Sequence, residues 1–198
     1  MKRAIVIGAD QLSSFVDWND RRSCILFGDG AGALAIEATN DFDNFLGFDM
    51  RTDGGRGSFL NLPSKDNKDS IIDNIDFLNG GFSQIQMNGQ EVYKFAVREV
   101  PIILDNLFRK TNYSSDEVDW LLLHQANQRI LDAVGDRLKI PRKKILSNLA
   151  KYGNTSAATI PLMMDEAIRN NRIQQDDIIA TRGFGAGLSW GAALIKWG

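Results

Sequence analysis

Trp120-Leu121-Leu122-Leu123-His124-Gln125-Ala126-Asn127 decides the fold class of this 198-residue chain. Four large apolar residues in a row lack the alternation of a half-solvated strand. They read as a strand covered on both faces that ends at His124. Directly behind it, Ala126 to Leu138 carries Ile130, Leu131, Val134 and Leu138 on one helical stripe. A buried strand feeding an amphipathic helix is the unit of an α/β protein. Such proteins place reactive groups at the C-terminal ends of strands, which is where His124 stands.

The pattern extends in both directions. Downstream, Ile145-Leu146-Ser147 reads as a short strand and Thr155 to Asn170 as a helix with a local irregularity at Pro161. Ile178-Ile179-Ala180 and Ala192-Ala193-Leu194-Ile195 read as a closing strand pair around Gly183-Phe184-Gly185-Ala186-Gly187. Upstream, Gln90 to Lys110 places Val92, Ala96, Val100, Ile103 and Leu107 on one face, with a kink or break expected near Glu99 because of Pro101. Ser114 and Glu117 have capping-box spacing. Residues 40 to 89 read as short strands and long surface loops, with turn signals at Asp53-Gly54-Gly55-Arg56-Gly57 and Asn79-Gly80-Gly81 and a Lys-, Asp- and Asn-rich stretch from Leu62 to Asp76. Ala4 to Asp10 reads as a strand buried on both faces. Cys24 to Phe27 and Ala33 to Ile36 read as a strand pair around Gly28-Asp29-Gly30-Ala31-Gly32. A phosphate cradle opens a helix, whereas this loop leads into a strand, so nucleotide binding is discounted.

Composition narrows the function. Lys+Arg of 23 against Asp+Glu of 25 gives a net charge of -2, which excludes a strongly basic nucleic-acid binder. The longest apolar runs are too short to span a bilayer. The N-terminus reads as lacking a signal peptide, since Ala4 to Ile7 is too short for its apolar segment. A single cysteine, Cys24, cannot form an internal disulfide, and a reducing cytoplasm fits. A single histidine excludes a multi-histidine metal site, and no metal is expected.

Two residues invite chemistry. His124 at a strand end either satisfies a buried turn or acts on a substrate. Asn154, in Tyr152-Gly153-Asn154-Thr155-Ser156, has the place of an ordinary helix N-cap, a role that coexists with a functional one. Cys24 sits in an apolar run, where a thiol is buried and structural.

In order along the chain stand Phe27-Gly28-Asp29-Gly30-Ala31-Gly32, Met87-Asn88-Gly89, His124-Gln125-Ala126-Asn127, Gly153-Asn154-Thr155-Ser156-Ala157, and Gly183-Phe184-Gly185-Ala186-Gly187 with Trp190-Gly191. Together they closely resemble β-ketoacyl-acyl carrier protein synthase III, a condensing enzyme of thiolase-like α/β fold. The resemblance runs from about Ala4 to the last residue. It implies that residues 1–39 are the last strands of the N-terminal half of that fold. It implies that 40–198 are the whole C-terminal half, with the His and Asn motifs in 107–198.

The resemblance also implies an activity. In the family a cysteine thiolate takes an acetyl group from acetyl-CoA. Malonyl-acyl carrier protein then loses carbon dioxide, and its carbanion attacks the acyl-enzyme, which starts fatty acid synthesis. His124 and Asn154 match the family's pair of neutral N–H donors for the developing enolate. Cys24 does not match the nucleophile's position, so the chain resembles about the last three-fifths of the enzyme, and alone it is expected not to form an acyl-enzyme. Gly89, Asn127, Arg129 and Phe184 match substrate-lining positions. Ala186 matches a glycine whose backbone N–H serves an oxyanion hole, with strain expected if its φ is positive. Lys94, Arg129 and Arg137 are candidates for a carrier-protein surface, each otherwise an ordinary solvated charge. Expected partners are acyl carrier protein, acyl-CoA as substrate, and a second copy of the chain in a homodimer; no nucleic acid, membrane or bound cofactor is expected. The alternatives are a thiolase-like enzyme using another acyl-CoA, and a noncatalytic dimerisation or carrier-binding half that works with a separate cysteine-bearing chain.

Overall fold

The computed structural model describes residues 2–38, 44–64 and 81–198. The Lys65 to Asp76 part of the polar stretch and the Asn79-Gly80 turn signal lie outside them. Strands β1 (Arg3–Asp10) and β2 (Gly30–Glu37) pair as an antiparallel ribbon, with Gly8 opposite Gly32. Strand β3 (Phe45–Thr52) is longer than the short strands expected in this region, and β4 (Leu60–Asn61) and β5 (Gln86–Met87) form a small pair. Helix α1 (Gly89–Thr111) follows. Then come β6 (Trp120–Leu123), α2 (Gln128–Leu138), the short α3 (Leu149–Tyr152), α4 (Thr159–Arg169), β7 (Ile178–Gly185) and β8 (Ser189–Lys196).

Four of these strands form a mixed sheet in the order β3-β8-β7-β6, with only the β6–β7 pairing parallel. The reading of β6 as buried on both faces holds, and its alternation explains why. Leu121 and Leu123 enter a core with Phe95, Ile103, Leu107, Leu131 and Val134 from α1 and α2. Leu122, between them, points the other way, into a core with Leu146, Met163, Met164 and Ile179. Full burial contributes roughly 1.5–3 kcal/mol per leucine. Exposed ion pairs such as Arg3–Glu37 contribute about 0–1 kcal/mol. The two cores, not the surface charges, hold the sheet.

Four expectations are corrected. Helix α1 runs unbroken through Pro101. The ring removes one N–H and frees the Val97 carbonyl. Arg137 Nη1 on α2 meets that carbonyl at 3.5 Å, while Val100, Pro101, Ile103 and Leu104 are buried around it. Cys24 to Phe27 is a chain of turns rather than a strand. The Asp20 carbonyl accepts from Ser23 and Cys24, both at 3.0 Å, and Leu26 donates to the Ser23 carbonyl at 3.0 Å. Cys24 is therefore half-buried in a turn, not enclosed in a sheet. Ile145 to Ser147 makes one bridge to Leu121 but no strand. The buried Gln125 side chain takes up the Leu146 carbonyl at 3.4 Å and accepts from Ser147 Oγ at 2.7 Å, in place of a ladder neighbour. Strand β1 is not buried on both faces: Ile5 and Ile7 are 69% and 68% exposed. Among the described residues its one paired neighbour is β2, and the ribbon leans on Ser156–Ala158 and α4 by one side.

The expected helix from Thr155 is a 3-10 turn, Ser156–Ala158, followed by α4. Pro161 falls in the first turn of α4, where its missing N–H has no intrahelical partner in any case. The Ser114–Glu117 capping box is present on a 3-10 turn, Ser115–Glu117.

Candidate active site

Strand β6 ends by handing the backbone N–H of His124 to the carbonyl of Arg182 on β7, at 2.8 Å. The ring of His124 meets Phe184, two residues further along β7, edge-on at 5.3 Å and 87°. Opposite, the Asn154 loop is held by a parallel bridge to Phe27. Asn154 N–H donates to the Leu26 carbonyl at 2.9 Å, and Gly28 N–H donates to the Asn154 carbonyl at 2.8 Å. Gly153 has φ +68°, the left-handed region that favours glycine, and a Cβ there would lie 3.0 Å from the Leu26 carbonyl oxygen.

His124 and Asn154 line one cavity of about 240 Å³. Its other walls include Phe27, Met87, Gly89, Tyr93, Asn127, Ser156, Phe184 and Ala186. Ser156 joins the pair. Its N–H donates to Asn154 Oδ1 at 2.9 Å, and its backbone lies beside the His124 ring. With Oδ1 so engaged, the Asn154 amide group has its Nδ2 hydrogens left for a ligand. The cap of the 156–158 turn is Thr155 rather than Asn154, which from one position earlier accepts from the turn's first N–H and lines the cavity as well. Ser156 takes φ 51°, a strained setting for a non-glycine residue, of the kind that clusters at functional sites.

Burial, first, and the Arg182 guanidinium, second, push His124 from 6.5 down to about 4, against a smaller opposing effect of the nearby Ser156 backbone. The imidazole is therefore neutral at physiological pH. This has a consequence for acid stability. Between pH 6.5 and about 4 the unfolded chain takes up this proton and the folded chain does not. Stability falls across that window by up to about 3 kcal/mol. Below it both forms are protonated and no more is lost; above it the effect vanishes. Urea unfolding midpoints fall accordingly, and His124→Gln flattens that stretch of the curve. Equal slopes in the two proteins would contradict a buried neutral ring.

The remaining candidates divide. Gly89, Asn127, Phe184 and Ala186 line the cavity with the central pair. Asn127 also caps α2, accepting from Arg129 N–H at 2.8 Å. Ala186 is not among the described residues with positive φ, so the strain expected there does not arise. Arg129, Lys94 and Arg137 stand outside the cavity, each with an intramolecular contact. Arg129 lies over the Tyr93 ring at 5.2 Å, Lys94 pairs with Glu91 at 2.7 Å, and Arg137 reaches Val97. Cys24 does not line the cavity. Sequence reasoning passed over Arg182, Ser156 and Gln125. The one signal for Arg182 was a lone charge in the strand run Ile178-Ile179-Ala180-Thr181-Arg182.

A family model described as 3-oxoacyl-[acyl-carrier-protein] synthase III C terminal matches residues 108–197, the segment that holds His124, Asn154 and Ala186. A second, described as 3-oxoacyl-[acyl-carrier-protein] synthase III, matches residues 1–54. The chain belongs to the synthase III family. The β-ketoacyl-[acyl-carrier-protein] synthase III of Prochlorococcus marinus strain MIT 9312 is 93% identical over 197 residues, covering 100% of this chain and 59% of that relative. Among solved structures of the family, the synthase III of Aquifex aeolicus VF5 aligns with a TM-score of 0.87 at 37% identity over 99% of this chain and 58% of its own. That of Pseudomonas aeruginosa PAO1 aligns with a TM-score of 0.89 at 31% identity, over 99% and 58%. The fold is the thiolase-like α/β fold of these synthases. The chain spans about 59% of the length of the curated relatives it matches. No helix among the described residues is long and apolar enough to cross a membrane.

Proposed function

We propose that this chain carries the decarboxylation half of a condensing site that joins acetyl-CoA to malonyl-acyl carrier protein and so initiates fatty acid synthesis. The observation that supports it most is that His124 and Asn154, 30 residues apart in sequence, line one cavity. In the reaction, the bond between the malonyl α-carbon and its carboxylate breaks and carbon dioxide leaves. The electron pair passes onto the thioester oxygen as an enolate. The α-carbon then attacks the acyl thioester of the enzyme, and the thiolate departs. Decarboxylation itself generates the carbanion, so no strong base is needed. What lowers the barrier is donation to the enolate oxygen by uncharged N–H groups, which is what a neutral imidazole and a carboxamide supply. The Ala186 backbone N–H is the proposed donor to the acyl oxygen. Gly89, Asn127 and Phe184 shape the cavity. Lys94, Arg129 and Arg137 form the proposed docking surface for the acidic carrier, with acyl-CoA as co-substrate, a homodimer as the assembly and the cytoplasm as the compartment.

The thiol is the missing part. Cys24 is the one cysteine of the chain and lies off the cavity, so we assign it no part in catalysis. Radiolabelled acetyl-CoA separates the readings. A full-length synthase that contains this chain retains label after denaturation and, given malonyl-acyl carrier protein, releases it as acetoacetyl product. The chain alone retains none. Label on Cys24 would overturn the assignment of the thiol, and a full-length protein that makes no acetoacetyl product would overturn the function. Label recovered on a second, cysteine-bearing polypeptide mixed with the chain would favour the two-chain arrangement.

A further inference from the structure

Arg182 is an expensive residue to keep. It is 2% exposed in a strand flanked by the apolar core, and among the described residues its Nε and Nη2 have no hydrogen-bond partner. Among described residues its guanidinium carbon lies over the Phe184 ring at 4.6 Å, and its carbonyl holds the backbone N–H of His124. Burial pushes the guanidinium down to about 9, opposed by Glu99, which leaves it cationic at neutral pH. The other charges packed here come from α1 and from the 3-10 turn Gly54–Phe59. Arg56 of the turn and Arg98 of α1 both approach the Glu99 carboxylate, at 3.9 and 3.4 Å, and Arg56 also pairs with Asp53 at 3.0 Å. Glu99 is thus divided among cations, and among the described residues Arg182 is left without a carboxylate of its own. A buried charge of this kind contributes little to stability, because an apolar side chain of similar volume would fill the space at lower cost.

We propose that Arg182 is a positioning residue of the condensation site: laid on Phe184 and bonded through its carbonyl to His124, its guanidinium keeps the imidazole in place as an uncharged hydrogen-bond donor. The inference deepens the condensing reading and rests on it. The malonyl substrate brings a carboxylate that must leave. A cationic imidazolium beside it would form an ion pair with that carboxylate and stabilise the ground state, whereas a neutral N–H favours only the enolate that develops later. A fixed cation laid on Phe184 repels the extra proton without itself lining the cavity.

His124 is the chain's one histidine, so its ring titrates in the NMR spectrum without overlap from another. The wild-type chain is expected to titrate below pH 5. Arg182→Met, which keeps the bulk and removes the charge, raises the midpoint by at least about one pH unit. Arg182→Lys, which keeps the charge, leaves it within about half a unit. In a full-length synthase, the acid limb of the decarboxylation profile moves with Arg182→Met by the same amount. A wild-type midpoint at pH 6 or above overturns the proposal even if Arg182→Met does not fold. So does a folded Arg182→Met with an unmoved midpoint, or an Arg182→Lys midpoint that rises as far as that of Arg182→Met. A titration that responds as expected in a protein that decarboxylates nothing would instead overturn the condensing reading. An active enzyme whose titration ignores Arg182 would overturn only this inference.

Discussion

Alanine in place of His124 lowers malonyl-thioester decarboxylation by roughly 10²–10³-fold in a full-length synthase carrying this chain, and alanine at Asn154 does the same. On the proposed function, each substitution removes one donor from the enolate oxygen, about 2.7–4 kcal/mol of transition-state stabilisation. A subtler variant divides two roles of Asn154. Asn154→Asp keeps an oxygen for the Ser156 N–H, 2.9 Å away, but has no amide hydrogen to offer a ligand. Its urea midpoint stays close to the parent's while its rate falls as far as that of the alanine variant. Full activity in Asn154→Asp would mean the residue only builds the turn. Because both groups are proposed to donate to the same enolate oxygen, the double alanine variant loses little more than the worse single one. Strictly multiplied losses would mean that the two groups act independently.

Gly28→Ala removes activity from a distance. A Cβ at Gly28 would lie 2.1 Å from the Tyr152 carbonyl oxygen, a backbone atom that cannot rotate away. Either the 26–28 segment or the 152–154 loop must move, and the two hydrogen bonds of the Phe27–Asn154 bridge lie between them. Overpacking of this kind typically costs about 1–3 kcal/mol, and each hydrogen bond lost adds about 1 kcal/mol. Displacing the Asn154 amide by about 1 Å reduces decarboxylation by roughly 10²-fold. The control is Gly54→Ala, where a Cβ would meet nothing within 4 Å. Its urea midpoint and rate stay near the parent's. If Gly28→Ala matches that control, the bridge does not set the position of Asn154.

The parts of the fold that could be read in the sequence were those decided locally. The Trp120–Leu123 run shows in four consecutive apolar residues, the stripe of Ile130, Leu131, Val134 and Leu138 in its helical spacing, and the capping box in the Ser114–Glu117 interval. His124 and Asn154 stood out because both sit where such elements change direction. The misread segments were settled by distant partners. Pro101 stays helical because the core holds α1 on both sides of it and Arg137 comes from another helix to meet Val97. Cys24 turns because the Asp20 carbonyl gathers the following N–H groups, a choice that an apolar run of four residues does not reveal. Arg182 was passed over because its meaning depends on what lies across the sheet. In sequence it is one charge among the 23 Lys and Arg residues.

Strand β6 is a party wall: Leu121 and Leu123 belong to one interior, Leu122 to the other, and the imidazole is the next residue on its rim. A change of volume in either interior presses on the same strand. Shrinking a leucine or a methionine in either room tilts the wall, and the tilt is felt first by the ring mounted at its end. Drift in the two hydrophobic fillings is therefore constrained jointly, and a volume lost on one side is compensated best by a neighbour on the same side.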